Sequence, residues 1–323
     1  MDPRPLAHDL QASAPEVRIG LSRAGVRGVN KAIRLRWGQH EKLVSADVEC
    51  TVDLDPSQKG VHMSRFPELF EEAIEEVVIG ESLLAEQLAE HIASHILERQ
   101  HALRAEVTIE ARFPRERQTP VTGLATQDAV KIIGIAVASA RGVRHAVGVE
   151  AHGLNACPCA QGLVRDSAAG RLLEAGFEEG DIDRILQLVP LATHNQRGIG
   201  RLYVGTELAL DALDLVGIVE RSMSSPVYEL LKRPDELFVV EHAHLHPRFV
   251  EDSVRLMVAG ALDRYADLSD RCFVLARQVN HETIHNHDVL AERHGTVAEL
   301  RSDLEHRNGG APRHTTARDW LEG

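Results

Sequence analysis

The apolar residues of this chain change period from two to about 3.6 and back again, and that switch restricts the fold more than any single motif does. Lys31 to Trp37 and Leu43 to Asp55 alternate apolar and polar residues over short runs, as half-buried antiparallel strands do. From Phe66 to Gln100 the spacing turns helical, with Leu69, Phe70, Ala73, Ile74, Val77 and Val78 on one stripe and Leu84, Leu88, Ile92 and Ile96 on another. Gly80-Glu81-Ser82 divides the two helices. Alternation returns in Ala105 to Phe113 and in Ala129 to Ala151, with a bend near Ala140 to Arg144. The order is therefore β-β-α-α-β-β.

A related order follows. Leu163 to Leu188 reads as an inserted helical excursion, after which Gly200 to Val204 is a strand, Glu207 to Leu231 helical and Leu237 to Ala243 extended. Phe249 to Tyr265 is helical again, and Cys272 to Asn280 and Ile284 to Ala291 are strands. The expectation is an α+β fold of two such units, residues 1–150 and 151–323, with a helical insertion at about 163–190. The tail, Asn308 to Gly323, has little to bury and is expected to be loose. A chain of 323 residues supplies enough core for both units.

Composition narrows the partners. A formal net charge of -13 leaves nothing to neutralise a run of phosphates, so a general nucleic-acid binder is not expected, and any phosphate ligand must meet a local basic pocket. Met1 to Val17 mixes Pro, Asp, His and Gln without a continuous apolar core, so neither a secretory signal nor a membrane span is expected there, and the expected location is the cytoplasm. The four cysteines, Cys50, Cys157, Cys159 and Cys272, are too few and too irregularly placed for a disulfide framework. Reduced thiols leave Cys157 and Cys159 free for chemistry.

That chemistry concentrates in Cys157-Pro158-Cys159, Thr193-His194-Asn195-Gln196-Arg197 and Glu282-Thr283-Ile284-His285-Asn286-His287. A rigid Cys-Pro-Cys turn presents a soft thiolate, isolated histidines are borderline ligands or proton carriers, and intervening acids can complete a site with one position open for water. The combination points to a metal-assisted hydrolase. Two cysteines one residue apart lack the geometry of a zinc knuckle and no second pair follows, so a closed four-cysteine site is not expected. Plainer readings stand beside these. A free cysteine packs as a small hydrophobe, His194 alone is a satisfied loop residue, and His285 and His287 are same-face positions of a solvated strand. Glu251-Asp252 complements a helix dipole, and the alternating His242, His244 and His246 are assigned no role. Lys59, His62 and Arg65 form either a surface basic turn or a phosphate grip, with Arg197 and Lys232 as similar candidates.

With Lys59-Gly60-Val61-His62-Met63-Ser64-Arg65, Cys157-Pro158-Cys159-Ala160-Gln161, Thr193 to Arg197, Leu231-Lys232-Arg233-Pro234-Asp235-Glu236, Phe249-Val250-Glu251-Asp252 and Glu282 to His287 in one order, the chain resembles a known family. It is the prokaryotic GTP cyclohydrolase family that comprises type IB and the archaeal methanopterin-branch enzymes, and the resemblance covers nearly the whole chain. It implies the tunnelling fold, in which β-β-α-α-β-β units, with antiparallel sheets and helices on one face, assemble into homo-oligomeric barrels, dimers or tetramers, with active sites at subunit interfaces. It implies GTP as substrate and one divalent metal per site, iron(II), zinc or manganese, since a Cys/His/Glu set accepts all three. Cys157, His194 and Glu236 match the metal-side residues and leave one position for water. Glu251 matches the acid that accepts hydrogen bonds from the guanine edge. Glu282, His285 and His287, with Cys157, match the catalytic positions, where acid and histidines move protons as the imidazole ring opens at C8 and formate leaves. Lys59, His62, Arg65 and Arg197 are the candidate phosphate contacts.

Within the family, type IB releases dihydroneopterin triphosphate and the methanopterin branch yields a dihydroneopterin 2′,3′-cyclic phosphate. Ala160-Gln161, the insertion from Leu163 to Leu188 and Glu220-Arg221-Ser222-Met223-Ser224-Ser225 resemble the second group, whereas Asn195 and Asn286 resemble the first. The sequence leans to the methanopterin group and leaves the product open. Two other classes remain: a nitrile reductase of the same fold, using a nucleophilic cysteine and NADPH without metal, and a non-catalytic metal-binding assembly module.

Overall fold

The computed structural model describes residues 10, 11, 13–37, 40–79, 84–100, 102–305 and 314–323. In chain order come β1 (Leu21–Trp37), β2 (His40–Leu54), α1 (Arg65–Ile79), α2 (Ala85–Arg99), β3 (Arg104–Gln118), β4 (Ala125–Ser139), β5 (Gly142–Ala156), α3 (Pro158–Glu174), α4 (Glu179–Leu188) and β6 (Asn195–Gly205). Then follow α5 (Ala212–Ser222), β7 (Ser225–Pro226), α6 (Arg233–Leu245), α7 (Val250–Arg264), β8 (Phe273–His281), β9 (Val289–Thr296), α8 (Val297–Leu304) and α9 (Ala317–Glu322). The expected helix break at Gly80-Glu81-Ser82 lies outside the described residues. No helix among the described residues is long and apolar enough to cross a membrane.

Alternating burial builds one continuous sheet. In β3, Ala105, Val107, Ile109, Ala111 and Phe113 are buried at every second position, as a strand with one covered face requires. Among the described residues the ladder runs β1-β2-β3-β4-β5-β6-β8-β9, antiparallel throughout, with β7 attached to β5. The order β-β-α-α-β-β runs through β1 to β4 with α1 and α2; β5, β6, β8 and β9 with α5 and α7 follow, interrupted by α3 and α4 between β5 and β6 and by β7 and α6 between α5 and α7. Residue 150 falls inside β5, which begins at the β4–β5 turn where Ser139 pairs with Gly142.

One core runs under both units. Leu88, Ile92 and Ile96 of α2, Leu215 and Val219 of α5 and Met257 of α7 are buried in it with Val107, Ile109, Leu202, Val204 and Val274 of the sheet. Gly134 on β4 admits the start of α2, since a Cβ there would lie 2.2 Å from Ala85 O. A charged joint couples the units: Arg115 and Arg117 of β3 pair with Asp128 of β4 and with Glu220 at the end of α5.

Glu207 to Leu231 is helical only over Ala212–Ser222, with β7 and irregular chain after it, and three more segments depart from the sequence expectation. Leu237 to Ala243 is helix rather than strand: Pro234 occupies the first turn of α6, Asp235 accepts from the Lys232 N–H, and Phe238, His242 and His246 stack four residues apart. Residues 283–287 are bends and β9 begins at Val289, because Asp288 folds back to hold His281 Nδ1 at 2.8 Å and the Glu282 N–H at 3.3 Å. The end of the chain forms α9 and is docked by Trp320, which is 9% exposed, stacks on Phe273 at 5.7 Å and donates its indole N–H to Arg271 O at 2.7 Å. Strand alternation places Gly205 and Phe273 on the face opposite Leu202 and Val204, so α9 lies across the other side of the sheet from α2, α5 and α7.

Candidate active site

β5, β6 and β8 meet at one edge of the sheet, where Ala156 pairs with Asn195 and Arg197 with His281. Cys157 is the first residue beyond β5 and caps α3, with Pro158 pre-setting the first turn. Its N–H donates to His194 O at 3.1 Å, and its carbonyl accepts from the Thr193 hydroxyl at 3.0 Å. Two backbone segments from distant parts of the sequence are thereby locked side by side. The Cys157 side chain is half-buried and that of Cys159 exposed.

Glu282 follows β8 at the same edge, and its side chain, 7% exposed, faces the His194 ring, 14% exposed. Gln196 lies between them, 4% exposed. Its Nε2 is 2.9 Å from Glu282 Oε1 and 3.0 Å from His194 Nδ1. Glu282 Oε2 is buried without a hydrogen-bond partner, 3.7 Å from His194 Nδ1. Gln196 is absent from the sequence candidates. The signal for it is positional: two residues past His194 on a strand, it shares the histidine's face.

A buried polar layer supports these strand ends. Asn155 Nδ2 donates to Ser253 Oγ at 3.0 Å, Gln278 Nε2 to Asn280 Oδ1 at 2.9 Å, and the Ala156 N–H to Ser224 Oγ at 3.1 Å. Arg248 N–H donates to Ala156 O at 3.0 Å, which seats the start of α7 beside β5 and brings the exposed Glu251 to the rim. His285 and His287 sit exposed on the bend after Glu282, their rings stacked at 5.2 Å, and not on a strand face. Arg197 is exposed on β6.

α6 crosses the same edge. Gln161 Nε2 donates to His244 O at 2.7 Å, so the His244 end of the helix abuts the Cys157 turn. Glu236 is exposed in the first turn, about 12 Å along the axis from His244. Its neighbour Asp235 is buried and accepts from the N–H groups of Val121, Thr122 and Lys232 and from the Thr122 hydroxyl. Burial pushes the Asp235 carboxyl up, but the hydrogen bonds from Thr122, Lys232 and Val121 outweigh it and hold the group well below the usual carboxylate range.

A thiolate, an imidazole and a carboxylate are donor types that fit a divalent ion, and the orphaned Glu282 Oε2 is a further acceptor beside them. The structure brings Cys157 and His194 together but not Glu236: among the described residues no three His, Cys, Asp or Glu side chains converge closely enough to hold an ion.

Lys59, His62 and Arg65 lie elsewhere. Val52 of β2 pairs with Ala105, Arg104 with Ser139 and Ser139 with Gly142, so the loop after β2 leaves the sheet at the edge where β5 begins. Cys157 leaves where β5 ends. The 15 residues of β5 separate those edges by about 45–50 Å. Within one chain the three basic residues therefore do not join the site.

A family model described as type I GTP cyclohydrolase folE2 matches residues 7–291. The GTP cyclohydrolase MptA of Methanococcus aeolicus is 41% identical over 308 residues, covering 92% of this chain and 99% of that protein. The GTP cyclohydrolase MptA of Methanocaldococcus jannaschii is 40% identical over 308 residues, covering 92% and 97%. The solved uricase from Arthrobacter globiformis is similar with a TM-score of 0.51 at 8% identity, over 90% of this chain and 96% of that one, a likeness of fold alone.

Proposed function

The chain belongs to the type I GTP cyclohydrolase family, and from that premise we propose that it opens the guanine ring of GTP at C8, releases formate and forms a 7,8-dihydroneopterin phosphate, the first step of a pterin pathway. The observation that carries the reading to these residues is the meeting of Cys157, His194 and Glu282 at one edge of the sheet, inside the region the family match spans.

Cys157 and His194 would hold one divalent ion, iron(II), zinc or manganese, and Glu236 would join them only through a movement of α6 larger than a side-chain rotation. Such an ion, when bound, supplies Lewis acidity toward water and substrate oxygen. The Glu251 carboxylate on the rim accepts from the ring N–H and exocyclic amine of guanine, which adenine cannot offer in that pattern. Glu282 is linked to the His194 ring through Gln196, and His285 and His287, exposed on the following bend, carry protons between the site and solvent. A second copy of the chain supplies Lys59, His62 and Arg65 to the phosphates, because the same chain's own set emerges at the opposite edge. Arg197 is the phosphate contact from the Cys157 side.

The α3–α4 insertion and Ala160-Gln161, which resemble the methanopterin branch, favour the 2′,3′-cyclic phosphate as product. Anaerobic incubation with GTP and iron(II), manganese or zinc in turn, with formate release followed and the pterin identified by mass spectrometry, tests the whole reading. Formate with a cyclic phosphate is expected. Formate with a triphosphate corrects the branch, and no formate with any metal overturns the activity.

A further inference from the structure

We propose that Gln196 is a positioning residue that sets the tautomer of His194, and that Glu282 Oε2 is the acceptor to which the ring turns when His194 takes a cation. The proposal rests on the reading of His194 as a metal ligand.

The hydrogen-bond geometry leaves little freedom. A carboxylate only accepts, so the amide atom 2.9 Å from Glu282 Oε1 is the nitrogen of Gln196 and not its oxygen. The same nitrogen lies 3.0 Å from His194 Nδ1, and its second hydrogen points there. His194 Nδ1 is then an acceptor, and the neutral ring carries its proton on Nε2. Gln196 is 4% exposed on a paired strand, which keeps the amide from swinging out.

A histidine protonated on Nε2 cannot ligate through Nε2, and its Nδ1 is covered by the amide. Ligation through Nε2 needs the other tautomer. The Nε2 proton passes to solvent and Nδ1 takes one from solvent, with no net change in charge. The new Nδ1–H then faces the Gln196 N–H, donor against donor, and needs another acceptor. Glu282 Oε2 meets the requirement: it is buried, has no hydrogen-bond partner, and stands 3.7 Å from Nδ1, about 0.8 Å beyond an ordinary hydrogen bond. A small rotation of the ring toward it gives the carboxylate–histidine pair that orients metal-binding imidazoles. Gln196 keeps its bond to Oε1, so one carboxylate serves both arrangements.

The test uses the full chain stripped with a chelator and labelled with ¹⁵N-histidine. Long-range ¹H–¹⁵N spectra, with the His194 signals assigned by their loss in His194→Gln, should show the Nε2–H tautomer in the unsubstituted protein and a shift toward Nδ1–H in Gln196→Met. Zinc affinity is then read by competition with a chromophoric chelator. Glu282→Gln should weaken binding by about 10–100-fold. Gln196→Met, which lifts the bond holding the wrong tautomer, should tighten it by roughly 2–10-fold. A merely structural amide would give weaker binding in both variants. An Nδ1–H tautomer in the unsubstituted chelator-treated protein overturns the proposal without any variant. So does equal weakening by both substitutions. If His194→Gln leaves zinc affinity unchanged, the ligand reading itself has failed, a result separable from the tautomer spectrum.

Discussion

Cys157 is fixed by backbone bonds and not by its side chain: its N–H and carbonyl are both engaged while the thiol stays half-buried. Cys157→Ala should therefore leave the circular dichroism spectrum and Tm nearly unchanged while GTP turnover falls by at least about 100-fold, as expected when a metal-side thiolate is lost. Normal formate release from that variant would sink the assignment. Residues such as Cys157 and His194 were legible in the sequence because their side chains announce chemistry wherever they sit. Gln196 was not, because an amide is ordinary until strand register places it between a histidine and a carboxylate. Asp235 and Glu236 show the same limit. The sequence favoured the second for function, and nothing local reveals that the first is tied to residues 121 and 122, more than a hundred positions away.

At the scale of elements, Asp235 pins the start of α6 to the β3–β4 turn, and its protonation state decides whether that pin holds. Its folded pKa is lowered, so its contribution is fully present above the unfolded value of about 3.9 and is lost as pH falls below it toward the folded value. Asp235→Asn should lower Tm clearly at pH 7 when followed by thermal melts, and the gap to the unsubstituted protein should shrink below about pH 4. A gap independent of pH would show that charge plays no part. α6 itself was misread because Leu237-Phe238-Val239-Val240 has strand composition, and only the capping by Pro234 and Asp235 reverses it. The long alternating runs of β2 to β5 were legible because half-burial imposes period two directly. α9 was illegible for the opposite reason: one Trp320 in a polar tail carries no period, yet its ring fills the space above Gly205. A Cβ on Gly205 would stand 2.4 Å from that indole ring. Gly205→Ala, made in a Trp37→Phe background, should undock α9, seen as a red shift of Trp320 fluorescence and faster proteolysis of the tail. An unshifted spectrum would mean that the helix accommodates the methyl group.

At the scale of the molecule, the separation of 98 positions between Lys59 and Cys157 says nothing about distance, whereas the strand register puts them on opposite edges. If a second copy completes the site, Lys59→Ala/Arg65→Ala and Cys157→Ala chains, each inactive alone, should regain about a quarter of full activity when dissociated and reassembled at equal amounts. Random pairing makes half the assemblies mixed, each with one intact site of two. No recovery after mixing would place both residue sets within one chain's function. The ladder bears on the same question through parity. Its eight paired strands alternate in direction, so β1 and β9, the two open rims, run opposite ways. An even count lets β1 of a neighbour lie antiparallel along β9 with no inversion, so copies related by simple rotation can extend one sheet. One strand more or fewer would leave a parallel seam, or demand that every second copy be turned upside down.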